Sequence, residues 1–333
     1  MIADARVLQP EFIPQEVEHR NAEVNHLSNA LKPIMDGQSG ETALLYGPSG
    51  AGKTCIAKYT VEKLRENVLD INTQYVNCWQ DYSRYRVLYR ILEGINETVD
   101  VQRQSTPKDE LSARLHDYDG PQYVIILDEV DQLQDSKVLY DLYQAHKITM
   151  VLVANREEEL FSQLEDRLVS RLQSCVRIQF DKYHMEELVA ILEARARWGL
   201  TEDSIGNREL RLIADSAAGD ARVGIGILRS AARRADQQGT DEITRSIIEE
   251  AVPAGKEEVR QNTLERLTDH QHALYDIIEE AGEISSGDLY ERYVERLEDP
   301  KAKRTMRYHL KKLDHYGLIT SHGEKRGRSY SIA

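Results

Sequence analysis

Gly47-Pro48-Ser49-Gly50-Ala51-Gly52-Lys53-Thr54 is the stretch on which the fold of this chain turns. It has the spacing G-x-x-x-x-G-K-[ST], and its flanks suit that spacing. Residues 42–46 (Thr-Ala-Leu-Leu-Tyr) read as a short buried strand, and 54–66 as a helix. Glycines let a backbone curl until its N–H groups face phosphate oxygens, and a helix N-terminus adds partial positive charge behind them. Gly47, Pro48, Ser49, Gly50, Ala51 and Gly52 would form the cradle. Lys53 would reach the β and γ phosphates, and the Thr54 hydroxyl would hold Mg²⁺.

The signals around that loop follow an alternating rhythm. Apolar strand candidates lie at 42–46, 73–78, 122–127 and 149–154, with helical stretches between them. Such a βαβ order predicts an α/β domain with a mostly parallel sheet and helices on both faces. Val124-Ile125-Ile126-Leu127-Asp128-Glu129 is an apolar strand that ends in two acids. Paired with a phosphate loop, Asp128 would hold the magnesium ion and Glu129 would orient and polarise an attacking water. Thr149-Met150-Val151-Leu152-Val153-Ala154 is a further buried strand, ending at Asn155. Asn155 reads either as a turn-former or as a contact to the γ phosphate, because strand ends at the carboxyl edge of such sheets gather at the ligand. The company of the other two motifs favours the second reading.

Two arginine signals follow. Arg167 and Arg171 stand four apart on a helix, where they suit either ordinary surface ion pairing or, in trans, the charge on a phosphoryl group of a neighbouring subunit. Gly219-Asp220-Ala221-Arg222 opens a later helix. Asp220 reads as its cap, and Arg222 either points to solvent or swings onto the γ phosphate, coupling nucleotide state to domain angle. Residues 185–251 are helical, with helices expected at 185–197, 207–217, 221–237 and 241–251. A break is expected at Pro253-Ala254-Gly255, followed by a charged connection to about residue 262.

The last stretch, 263–333, reads as three helices (264–281, 286–297, 301–315) and a hairpin (318–322 and 328–332) around a turn at 323–327. At 100° per residue, Met306, Leu310 and Leu313 share one face of the third helix, while Arg304, Arg307 and Lys311 share the opposite face. That is the outline of a winged helix–turn–helix. Lys303, Arg304, Arg307 and Lys311 on its third helix, with Lys325, Arg326 and Arg328 on its hairpin, are the candidate contacts to double-stranded DNA. A winged helix that serves protein contacts is the competing reading.

Charge supports the DNA reading. The whole chain of 333 residues carries −14, but from residue 301 onward nine Lys or Arg face two acids, a local +7 that leaves −21 on the first 300 residues. Phosphate contacts dominate DNA binding, so a basic tail unit on an acidic body is informative. Arginine (29) outnumbers lysine (14) beside 57 acids, which we read as the signature of a protein kept soluble in a high-salt cytosol. Cys55, Cys78 and Cys175 are isolated, without metal or disulfide spacing, and no apolar run is long enough for a membrane span or a secretion signal. The expected location is the cytoplasm, in association with the nucleoid.

Taken in order, these motifs resemble those of the archaeal replication initiators related to the eukaryotic origin recognition complex subunit one and the cell-division-cycle loader. The resemblance spans nearly the whole chain: the phosphate loop, Leu127-Asp128-Glu129, Asn155, residues 167–172, 219–222, the terminal winged helix, Phe12-Ile13-Pro14 with Arg20, and Phe180-Asp181-Lys182-Tyr183. It implies an AAA+ P-loop domain at 1–182, a small helical lid at 183–255 and a winged helix at 262–333. It implies a slow, magnesium-dependent ATPase that binds ATP or ADP, holds origin DNA, recruits the replicative helicase and acts beside paralogous initiators. It places Ile13, Pro14 and Tyr183 at the adenine, and an additional DNA-touching helix within 81–105. Where the family often has two serines this chain has Ser170-Arg171, so Arg167 and Arg171 both stand as trans-acting candidates. The alternative reading is a winged-helix transcription or plasmid-associated regulator with a residual ATPase module.

Overall fold

The computed structural model describes residues 1–98, 106–323 and 327–333, which form two compact units, Met1–Lys256 and Glu257–Ala333. The first unit opens with an irregular segment and α1 (Asn21–Leu31). α1 stops there because Pro33 cannot continue an α-helical ladder, and a 3₁₀ turn, Lys32–Asp36, takes over. Next come β1 (Ala43–Tyr46), α2 (Lys53–Asn67), β2 (Ile71–Asn77), α3 (Arg84–Glu93), α4 (Lys108–His116), β3 (Gln122–Asp128), α5 (Lys137–Gln144) and β4 (Ile148–Ala154). After them stand two short helices, α6 (Glu157–Phe161) and α7 (Asp166–Leu172), and β5 (Val176–Gln179).

Among the described residues the five strands form one sheet in the order β2-β3-β4-β1-β5, with every neighbour parallel. A parallel sheet is covered on both faces, so its strands are apolar throughout. One face packs Leu44, Ile125, Leu127, Met150 and Leu152 against Val87, Leu88, Leu139, Leu142 and Leu168 of α3, α5 and α7. The other packs Leu45, Val124, Ile126, Val151 and Val153 against Leu27, Leu31, Ile56 and Ala57 of α1 and α2. β4 is buried along its whole length and lies between β1 and β3, so the phosphate loop after β1 and the acids after β3 flank the end of β4. β5 was not among the expected strands. Val176-Arg177-Ile178-Gln179 is an edge strand with only two apolar residues, and its signal is correspondingly weak.

The rest of this unit is helical: α8 (Met185–Gly199), α9 (Asn207–Ala217), α10 (Ala221–Gln238) and the first part of α11 (Arg245–Leu264). Leu188, Leu192, Leu210, Ile213, Leu228 and Ile248 form its core. Leu8, from the opening segment, is fully buried in that core, and buried Arg195 of α8 donates to the carbonyls of Val7 (2.8 Å) and Phe12 (2.9 Å). The break expected at Pro253 is absent, because α11 runs straight through it. An interior proline costs about 3 kcal/mol. Opposing that cost, Ile247, Ile248, Ala251 and Gly255 are buried, and Gly255 lies so close to α10 that a Cβ there would sit 2.6 Å from the Cα of Ile227.

The second unit holds α12 (Asp269–Ala281), β6 (Glu283–Ser285), α13 (Ser286–Arg296), α14 (Lys303–His315), β7 (Ile319–His322) and β8 (Ser329–Ile332). α12 starts later than the expected 264, where the Thr268 N–H donates to the Gln271 side chain (3.0 Å). The expected hairpin gains a third strand, giving an antiparallel sheet in the order β6-β8-β7. Leu274, Ile278, Leu289, Met306, Leu310, Leu313 and Tyr330 are buried.

Candidate functional site

The loop 47–52 joins β1 to α2 in conformations that its glycines permit. Gly50 (φ 72°) and Gly52 (φ 94°) lie in the left-handed region, and a Cβ at either would collide, with Asp220 at Gly50 and with the Tyr183 hydroxyl at Gly52. Lys53, first residue of α2, is only 7% exposed. Its ammonium donates to the carbonyls of Gly47 (2.7 Å) and Pro48 (2.8 Å) and to Oδ1 of Asn155 (3.0 Å). Burial pulls its pKa down to about 8, against the opposing pull of nearby Asp128.

Asp128 ends β3 and is 4% exposed. Its carboxylate accepts from the Thr54 hydroxyl (3.0 and 3.1 Å), the Tyr75 hydroxyl (2.8 Å) and the Glu129 N–H (3.0 Å). Glu129 follows with φ 56° and ψ 42°, an uncommon backbone for a non-glycine residue. Lys53 with Asn155, and Thr54 with Asp128, are therefore two hydrogen-bonded pairs set side by side by the start of α2 and the ends of β3 and β4.

The helical part closes on the same loop. Asp220 caps α10 by accepting from the N–H groups of Arg222 (2.8 Å) and Val223 (3.2 Å), and the Ala221 N–H donates to the Gly50 carbonyl (3.2 Å). Arg222 donates through its guanidinium to the Ser49 hydroxyl. Asp220 is thus both a cap and a wall of the loop.

Tyr183 lies at Gly52, with the guanidinium of buried Arg20 4.2 Å from its ring centre; Arg20 also donates to the Asp181 carbonyl (2.6 Å). Ile13 and Pro14 line a cavity of about 350 Å³ together with Lys58, Tyr59 and Glu62 of α2 and Tyr75 of β2. Arg167 and Arg171 sit over the Tyr140 ring of α5, at 5.2 and 4.7 Å, and Arg167 pairs with Glu165 (3.1 Å). Within one chain these partners lie on α5 and just before α7, not on the phosphate loop.

In the second unit, Arg304, Arg307 and Lys311 are exposed on α14, opposite buried Met306, Leu310 and Leu313. Lys303 places its ammonium 4.7 Å from the Tyr290 ring centre, and Arg328 is exposed beside β8. Lys325 and Arg326 lie outside the described residues. Lys312 corrects the charge count: it is 3% exposed, packed 5.1 Å from the Tyr308 ring centre, so the basic face carries less than the nominal +7.

The hard oxygens of Thr54 and Asp128 suit magnesium, which is commonly held by one or two protein oxygens together with substrate phosphates. Among the described residues no cluster of His, Cys, Asp and Glu offers an all-protein metal site, and no helix is long and apolar enough to cross a membrane. Sequence reasoning missed Tyr75 and Asp220 as parts of this site. Asp220 had a signal in its capping position, whereas Tyr75 had none.

A parallel sheet with β4 inserted between β1 and β3, a phosphate loop, paired acids and a helical part closing on that loop define an AAA+ type ATPase. The comparisons agree: the AAA domain family profile matches residues 37–177, and that of the Cdc6 AAA+ ATPase-type lid domain matches 189–252. ORC1-type DNA replication protein 1 of Halobacterium salinarum is 58% identical over 92% of this chain and all of its own length. ORC1-type DNA replication protein 9 of the same organism is 49% identical over the whole chain and 94% of its own. Among solved structures, that of the Aeropyrum pernix ORC1 protein in complex with DNA superposes with a TM-score of 0.79 at 27% identity, covering 99% of this chain and 93% of that one. The chain belongs to the ORC1-type DNA replication proteins.

Proposed function

We propose that this chain is a replication initiator in which ATP, bound with magnesium on the phosphate loop, sets how a C-terminal winged helix holds origin DNA. The observation that carries the reading is the convergence of four separate elements on one loop. Lys53 and Asn155 are bonded to each other, Thr54 to Asp128, and Arg222 to Ser49. An incoming triphosphate would take the Lys53 ammonium from the loop carbonyls. Magnesium, held by Thr54 and Asp128, would neutralise phosphate charge. Glu129 would orient the attacking water, Asn155 would contact the γ phosphate, and Arg222 would exchange Ser49 for that phosphate and so report nucleotide state to the helical part. Arg167 or Arg171 would serve a neighbouring copy or a paralogue. Ile13, Pro14 and Tyr183 would flank the adenine.

The second unit would read DNA with α14, and its hairpin would meet the backbone or minor groove. Support comes from the segregation of Arg304, Arg307 and Lys311 from the buried face of α14, and from the relative that was solved in complex with DNA. Helicase recruitment and nucleoid association belong to the same proposal. The test is DNA affinity of purified full-length protein in its native salt, measured with ATP, with ADP and with neither. The expected result is an affinity that depends on the nucleotide in wild type and is indifferent to it in K53A. Absence of any adenine-nucleotide affinity would overturn the reading.

A further inference from the structure

We infer that Tyr75 is a positioning residue for the magnesium-holding carboxylate, an assignment that rests on the nucleotide site proposed above. Asn77 of β2 stands opposite Asp128 of β3, and Tyr75 stands opposite Ile126. Strand residues two apart share a face, so Tyr75 lies on the α2 side of the sheet with Asp128, two positions below it. That separation is about 6.6 Å along a strand, a span that a tyrosine covers. Its hydroxyl donates to Oδ2 of Asp128 at 2.8 Å.

The phenol is held from its other side too. Lys58 is four residues after Thr54 on α2, hence on the same helix face. Its ammonium stands 3.6 Å from the centre of the Tyr75 ring. A cation over an aromatic face fixes the ring and draws electron density from it, which strengthens the O–H as a donor. Successive turns of α2 therefore supply a hydroxyl to Asp128 and a cation to the ring that orients Asp128.

The three donors on this carboxylate differ in what ligand binding asks of them. The Thr54 hydroxyl must turn an oxygen lone pair to the metal. The Glu129 N–H belongs to a turn that carries the water-orienting residue. The Tyr75 hydroxyl has neither obligation, so its bond to Oδ2 can keep the carboxylate aimed while Thr54 is re-engaged. Outer partners of this kind commonly change metal affinity by about 10-fold or more when lost.

Tyr75→Phe, which removes only the hydroxyl, tests this in the full chain by calorimetric titration with ADP, over a magnesium series and in EDTA. The expected result is a magnesium requirement for tight ADP binding raised about 10-fold, with ADP affinity in EDTA within about twofold of wild type. A merely structural hydroxyl would lower affinity in both conditions alike, or in neither, and either result overturns the inference. Wild-type protein that binds no ADP, or that gains nothing from magnesium, would take down the underlying site as well, and so the two failures are distinguishable.

Discussion

The phosphate-loop site and the basic face of α14 are both rich in charge, and the fold treats that charge in opposite ways. Lys53 and Asp128 are buried, and each is met by several partners at hydrogen-bond distance. Arg304, Arg307 and Lys311 stand in solvent along one side of a helix whose other side is core. A buried charge without partners is too costly to keep, so burial obliges the protein to fix geometry before any ligand arrives. Exposed cations meet no such demand. Their contributions are local, nearly additive and screened by salt. The first region should therefore fail all at once when one group is removed, and the second should fade by steps.

The largest effect that would sharpen this contrast is at Glu129. E129A should retain ATP while turnover falls about 100-fold or more, read by phosphate release and by nucleotide retention on the same sample; unchanged turnover removes Glu129 from its role. K53A should weaken ADP and ATP binding about 100-fold, measured by calorimetry, and retained affinity would break the claim that one buried group governs the site. R304A with R307A should weaken DNA binding only about 10-fold, and lower the slope of log affinity against log salt by about two. Equal affinity would turn the second unit toward protein contacts.

The smallest effect concerns pH. Burial holds the Lys53 pKa near 8, below its ordinary 10.5. Between those values the unfolded chain keeps a proton that the ligand-free folded chain has released, so this group penalises folding below about pH 8 and the penalty lifts as pH rises through the window. A bound triphosphate favours the charged ammonium. Nucleotide affinity should thus fall several-fold from about pH 7.5 to 9, with proton uptake on binding. Calorimetry in buffers of different ionisation enthalpy reads that uptake, and K53R should flatten it.

The legible parts of this molecule are those in which local spacing and chemistry coincide. The phosphate loop, the two acids after β3 and the strand rhythm were readable because each motif sits within a few residues. β1 to β4 fall within two residues of their expected ends. The order of the strands was not readable. Nothing in 149–154 says that β4 inserts between β1 and β3, yet that insertion brings Asn155 to Lys53. The continuation of α11 through Pro253 depends on the approach of Gly255 to Ile227, a contact between residues 28 apart. Lys312 counted toward surface charge although it packs inward. Tyr75 lacked any signal, because a tyrosine in a strand is ordinarily just a good β-former.

One feature of the backbone reaches beyond the nucleotide. Glu129 occupies a left-handed conformation that L-residues with long side chains enter at a cost of about 1 kcal/mol. Asparagine tolerates it better. If Glu129 orients the attacking water as proposed, a drift from Glu to Asn at this position would relieve that backbone cost and abolish turnover together, so glutamate would be kept there by the work it performs and not by robustness. In a lineage where a duplicated copy is relieved of turnover, residue 129 is where the relief should first be written.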